Sequence, residues 1–483
     1  MKINTLKKQD GLLLLMVFTY SYLFYEQHLG FNLLIFNILL IAAISTVHPH
    51  PKTPVHWVAI MACIITSLAV VVVNTRLAVF SSFVSMIVLL GYVLEARSSL
   101  IVSFLNALYS ILSAPFVYGA RRIHQSPAES SSAQVHSQKL KLLRFGSVAI
   151  PVLVTLVFLS LYASANPAFS DFLEQVRFDF ITWSWVRFTL VGSFFLFGMF
   201  YAAHLVSLSG WDLNSPNGIT RKRHRSQRDF HPLALKFELK TGTTLLLLLN
   251  GLLLVFHLAD ASYILGARLP AGLTYSAYVH QGVYTLIVSI VLAILIIVYF
   301  LRGNLNFHRK NRLLVILTYA WIVQNIILAL GIAYKNALYI EEYSLTYKRI
   351  GVYVYLFLVI AGLLTTYIKV GNLKNHWYLL RRNSWVAFLL LIFMSWVDWD
   401  HIITKTNLEK GKDIDYTYLM HLSHTNLPEL QALADQDVLP GPGLKHQLEQ
   451  KQQRFHERMH VADWRSWNYR DQKISRQLGK LYP

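Results

Sequence analysis

Long apolar blocks separated by short polar loops make up most of the chain. A helix that crosses a bilayer needs about 20 mostly apolar residues. Eleven blocks meet that need: Gly11–Tyr25, Phe31–Val47, Val55–Asn74, Leu77–Leu94, Phe145–Ala165, Trp185–Leu208, Thr241–Leu265, Val279–Leu301, Leu313–Tyr334, Ile350–Val370 and Asn383–Val397. They predict an all-α fold, a polytopic transmembrane helical bundle of about eleven spans. A further block, Ser98–Tyr118, carries Ser98, Ser99, Ser103, Asn106, Ser110, Ser113 and Pro115 between Arg97 and the pair Arg121, Arg122. That polarity predicts a segment lying along the interface, with a crossing left open.

From Asp398 the pattern changes to that of a small polar helical tail. Tyr416, Leu419, Met420 and Leu422 recur at helical spacing, followed by Leu427, Leu430 and Leu433. Asn426 is placed to cap a helix whose first turn holds Pro428 and Glu429. Pro440-Gly441-Pro442-Gly443 breaks the chain, and a polar helix follows over Leu444–Met459. Trp464, Trp467 and Tyr469 then call for burial or a membrane interface. The predicted organisation is an N-terminal membrane region over 1–118, a flexible cytoplasmic linker over 119–144, a seven-span unit over 145–397 and the tail over 398–483.

Composition agrees with the pattern. Charged residues are 14% of the 483, against about 25% in an average soluble domain. This excludes a soluble globular enzyme, a disordered chain and a fibrous protein. The net charge is +19, and its distribution is informative. With the N-terminus inside and eleven spans, 25 basic residues before Trp399 fall on the cytoplasmic side and 7 outside. Making Ser98–Tyr118 a span changes this to 21 and 11, so the positive-inside rule favours eleven. The reading that follows is a multi-pass membrane protein with a cytoplasmic N-terminus and an extracytoplasmic tail. The run Arg221-Lys222-Arg223-His224-Arg225 sits in a short loop without stacking aromatics. It predicts anionic lipid at the cytoplasmic face and no nucleic acid. The single cysteine, Cys63, reads as a small buried apolar residue.

Charges inside spans are costly and mark candidate sites. Asp260 is the acid most nearly enclosed by apolar residues. His257 lies three before it on the same helical face, as a proton-titrating pair would require. Asn250, Gln324 and Asn325 fall near midspan, where amides bond between helices or line a path. The outer loops add Tyr275, Tyr278, Tyr339, Glu342, Tyr343 and Arg349 to Asp260 and His257 as a candidate outer-face cluster. Tyrosine hydroxyls, Arg349 or Lys348 are the expected donors to Asp260. Asp171 with Glu174, and Glu341 with Glu342, are possible acid/base pairs. Asp398, Asp400 and His401 cap a helix or bind metal, with capping preferred. No phosphate-binding, dinucleotide, zinc-protease or nucleophile-elbow motif is present. The expectation is therefore no metal and no cofactor, with no catalytic residue assigned.

Several short motifs carry a resemblance: Asn166-Pro167-Ala168-Phe169; Asp260-Ala261-Ser262-Tyr263-Ile264-Leu265-Gly266, leading to Leu269–Tyr275 and Tyr278; Tyr343-Ser344-Leu345-Thr346 with Arg349; and, in the tail, Asp413–Leu419 with Asp463–Asn468. Over about residues 145–470 they resemble a family of bacterial polytopic membrane proteins catalogued as a domain of unknown function. Asn166 and Ser344 stand where that resemblance implies Asp and Gly. It implies a location and a domain, without a mechanism. Three functional classes stay open: a structural, docking or assembly-linked envelope component; a proton-coupled transporter using His257, Asp260 and the midspan amides; and an enzyme acting on a lipid-linked substrate at the outer face. Protein partners and oligomeric state cannot be read from the sequence.

Overall fold

The computed structural model describes residues 8–48, 53–124, 182–203, 205–221, 232–266, 275–410 and 414–481. Side chains at 119–124, 232–234, 262–266, 275–284 and 480–481 lie outside the description. Seventeen α-helices and no strand occur among the described residues. In the membrane region these are α1 (Lys8–Phe24), α2 (Phe31–Val47), α3 (Pro54–Val72), α4 (Arg76–Leu94), α5 (Leu100–His124), α6 (Trp183–Phe200), α7 (Val206–Asn214), α8 (Pro232–Gly266), α9 (Tyr275–Phe300), α10 (Arg312–Tyr343), α11 (Tyr347–Gly371) and α12 (His376–Ser395). The tail holds α13 (Trp399–Lys410), α14 (Tyr416–His421), α15 (Leu427–Asp435), α16 (Pro442–Val461) and α17 (Tyr469–Leu481).

Seven of these helices are long and apolar enough to cross a membrane, and an eighth if α12 and α13, bent by 66°, count as one. Eleven were expected. Phe31–Val47 and 285–300 are apolar but shorter, α1 has 17 residues, and the expected span Phe145–Ala165 lies outside the described residues. The linker expected over 119–144 is described only as far as His124, the end of α5.

Threonine and asparagine side chains start the membrane helices. Thr53, Thr75 and Thr182 accept from the backbone N–H three residues on, at the heads of α3, α4 and α6, and Asn375 does so for α12. Each satisfies one of the orphaned N–H groups of a first turn.

α5 belongs to the candidate spans. The polar stripe that suggested an interface is turned inward: Ser103, Asn106 and Ser110 are fully buried. Asn106 Nδ2 donates to Ser209 Oγ at 2.8 Å, and Ser110 Oγ to Gly198 O at 2.7 Å. The close approach rests on glycine. A Cβ at Gly91 would lie 2.1 Å from Ser103 O, and one at Gly198 2.5 Å from Ile111 Cα. Small residues at helix crossings let polar groups meet where lipid gives no hydrophobic drive. Asn37, Ser67 and Ser82 form a similar buried knot between α2, α3 and α4.

Two large membrane cores occur among the described residues, beside a smaller cluster of Leu33, Ala69, Val70 and Ala78. One joins α1–α6 with Phe388 of α12; the other joins α8–α11. Cys63 is fully buried in the first. A third core, within the tail, includes Ile350 from the head of α11.

The helices alternate between two ends of the bundle. Lys8 begins α1 at the first end, where Gln9 meets Phe200 O and Tyr201 meets Asp10 at the close of α6. The basic loops around Arg97, Arg221, Arg302–Arg312 and Lys374–Arg382 share that end. The tail lies at the second end, against the loops at 25–30, 73–75 and 344–346. Phe31 N–H donates to Trp467 O at 2.9 Å, and His28 N–H to Ser466 Oγ at 3.0 Å. Asn407 reads both backbone groups of Leu345.

The tail's anchor is Asp471. It meets His424 Nε2 at 2.6 Å, Arg458 Nη2 at 3.0 Å and Asn468 Nδ2 at 2.8 Å. Burial pushes its carboxyl up, but His424, the Arg458 charge and the Asn468 amide outweigh that and hold it below its ordinary 3.8. Trp464, Trp467 and Tyr469 remain half exposed, at 53%, 42% and 51%. Trp467 packs on the bundle, edge-on to Phe31 at 6.3 Å.

A polar track between α8 and α10

α8 and α10 run parallel, so matching heights on the two helices meet. The 35 residues of α8 and 32 of α10 give lengths of about 50 Å at 1.5 Å per residue. Each exceeds the roughly 30 Å hydrocarbon layer. Both carry polar groups on the facing stripe.

The lowest rung is an amide pair. Gln324 Nε2 donates to Asn250 Oδ1 at 2.8 Å, and Asn250 Nδ2 donates to Leu246 O at 2.7 Å and to Leu317 O at 3.1 Å. Two turns higher on α8, His257 Nε2 lies 3.1 Å from Gln324 O. Such bonds between membrane helices contribute about 0.6–2 kcal/mol each. Gln324 Oε1 and Trp321 Nε1, both buried, have no hydrogen-bond partner among the described residues. Asn325 points elsewhere, donating to Trp321 O in its own helix at 2.7 Å.

The top rung is an ion pair. Lys335 Nζ lies 2.5 Å from Asp260 Oδ1, and the two side chains are only 9% and 15% exposed. The sequence reading placed tyrosines, Arg349 or Lys348 here and did not single out Lys335. Two charges withdrawn from water are tolerated because each neutralises the other; breaking such a pair costs about 3–5 kcal/mol.

Toward the tail, Arg349 is engaged locally. Its Nη1 donates to Tyr343 O at 2.6 Å and its guanidinium sits 4.2 Å from the centre of the Tyr339 ring, which packs at 4.9 Å on Tyr343. Asn336 Nδ2 donates to Arg349 O at 3.1 Å. Lys410 Nζ caps α10 through Ile340 O. The structure thus brings Asn250, Gln324, His257 and Asp260 onto one track, and Tyr339, Tyr343 and Arg349 into a cluster above it.

Glu341 and Glu342 are exposed. Tyr275 and Tyr278 open α9, with side chains outside the description; the loop before them, and Asp171 and Glu174, lie outside the described residues. Asp398 caps α13 through His401 N–H at 3.2 Å and pairs with Arg470 at 2.8 Å, while Asp400 accepts from Tyr347 at 2.6 Å. No group of three or more His, Cys, Asp or Glu placed to hold a metal occurs among the described residues.

An all-helical bundle with several apolar helices and an internal polar track defines a multi-pass membrane protein. The chain belongs to the family described as a domain of unknown function, DUF4153, whose model matches residues 12–433. The match takes in the N-terminal helices that the resemblance at 145–470 left out, and ends before Asp463–Asn468. No curated protein and no solved structure matches the chain.

Proposed function

We propose that this protein is a structural, assembly-linked docking component of the bacterial cell envelope, seated in the inner membrane. The observation that carries the reading is the tail: a folded helical cap clamped on one end of the bundle, with Trp464 and Tyr469 half exposed beside the loops it covers. Basic loops gather at the opposite end. With that end cytoplasmic, their charges meet anionic lipid, and the cap faces the extracytoplasmic space. Such a cap presents a rigid, aromatic surface of the kind used at interfaces.

A proton-coupled transporter is the second reading, favoured by the buried Asp260–Lys335 pair one turn above His257. The enzyme reading has less support, since Glu341 and Glu342 do not converge with another acid among the described residues.

Reporter fusions after Val397 are expected outside; a cytoplasmic tail sinks the docking reading. Photo-crosslinkers at Trp464 and Tyr469 in living cells are expected to give one discrete adduct. Proton uptake into vesicles that Asp260→Asn abolishes would instead establish the transporter.

A further inference from the structure

A cavity of about 440 Å³ opens at the second end, between the last turn of α1, the first turn of α6 and Arg465 of the tail. Its size is that of a small-molecule site, about 300–1,000 Å³. Phe18, Tyr22, Tyr25 and Trp185 form its walls, and Glu26 and Arg465 its charges. The walls are held in place: Tyr25 Oη and Thr182 Oγ1 share a hydrogen bond of 2.7 Å, and the Tyr25 ring packs edge-on to Phe188 at 5.7 Å.

The two charges are not equivalent. Arg465 is already neutralised by Asp463 at 2.6 Å, donates to Tyr22 O, and lies 5.1 Å from the centre of the Tyr22 ring. Glu26 has no ion pair or hydrogen bond among the described residues. Glu26, Asp463 and Arg465 together leave one negative charge beside a set of aromatic faces. Carboxylate and ring faces both attract a cation, an ammonium group among them.

The mouth shows where that cation comes from. Leu15, Phe18 and Tyr22 follow one another at helical spacing along α1 and are 57%, 70% and 52% exposed. This apolar stripe runs down the outside of the bundle and ends in the cavity, as the path of an acyl chain would. We propose that the cavity binds the ammonium headgroup of a membrane phospholipid, with the lipid's acyl chain lying along Leu15, Phe18 and Tyr22. The site is separate from the polar track, and it does not depend on the docking role or on which leaflet the second end faces.

The test is native mass spectrometry of the full-length protein released from vesicles of equal phosphatidylethanolamine and phosphatidylglycerol. The wild type is expected to retain the ethanolamine lipid about tenfold over the glycerol lipid, a difference of about 1.4 kcal/mol. Glu26→Gln, at an exposed position, and Tyr22→Ala are each expected to bring the ratio near one, while eluting as the wild type does on size exclusion. Equal retention of the two lipids by the wild type, or an unchanged ratio in Glu26→Gln, overturns the proposal. Displacement of the lipid by soluble phosphoethanolamine at matched concentration also overturns it, because the acyl stripe would then contribute nothing.

Discussion

Ser344 closes α10 with φ +75° and ψ 164°, a region that a side chain's Cβ disfavours and glycine enters freely. It is 4% exposed, and its hydroxyl has no hydrogen-bond partner among the described residues. Two penalties therefore fall on one residue. Backbone held in such a region costs a non-glycine residue about 1–3 kcal/mol. An unpaired buried hydroxyl costs about 1–3 kcal/mol more. Ser344→Gly relieves both, at the expense of about 0.5–1 kcal/mol of extra chain entropy in the unfolded state. The penalties overlap, so the expected net gain is about 1–3 kcal/mol. Ser344→Ala separates them, because it removes the hydroxyl and keeps the Cβ. Thermal unfolding of the purified full-length protein in one detergent is expected to rank glycine above alanine above serine. Glycine at or below alanine would refute the strain argument, and both below serine would refute the unpaired hydroxyl as well.

Lys335→Met should destabilise the bundle by about 3–5 kcal/mol by breaking the buried ion pair with Asp260; adding Asp260→Asn should recover part of that, and a double variant no better than the single one would show that the pair is not coupled. Gly30→Ala would place a Cβ 2.5 Å from Ser466 O and 2.6 Å from Trp467 O, both backbone. It should therefore release 464–468 at a cost of about 1–3 kcal/mol, read as faster proteolysis at that segment; wild-type cleavage would show that the clamp is not tight. Asp471 is held below 3.8 in the folded tail, so its contribution is complete above that value and is lost as pH falls through the lower folded value, where the unfolded tail takes up the proton first. Tail protection should drop on acidification below about pH 4, and Asp471→Asn should weaken protection at neutral pH and flatten the acid response; an identical acid profile in the variant would place the titration elsewhere.

Ser344 shows how far the chain alone could be read. The resemblance implied a glycine there, and the backbone angle supplies the reason. The apolar blocks determined the helices for a similar cause: in lipid every backbone N–H and C=O must bond within its own helix, so an apolar stretch of the right length has little choice of structure. The basic loops around Arg97, Arg221, Arg302–Arg312 and Lys374–Arg382 share one end of the bundle, but α5, as a span, carries Arg121 and Arg122 to the other end.

What the sequence left open is everything that depends on which helix stands beside which. The serines and asparagine of α5 read as an interfacial face because their partners, Gly198 O and Ser209, lie 88 and 103 residues away. Lys335 lies just past the end of the apolar block Leu313–Tyr334. Its meaning came only when α8 and α10 were laid parallel, putting it level with Asp260. The cavity beside Glu26 joins residues from α1, α6 and the far end of the tail, and no spacing along the chain encodes that meeting. Helix formation is local, and the sequence determined it; helix pairing is decided by buried polar groups and small-residue contacts between distant segments, and only the tertiary structure shows those.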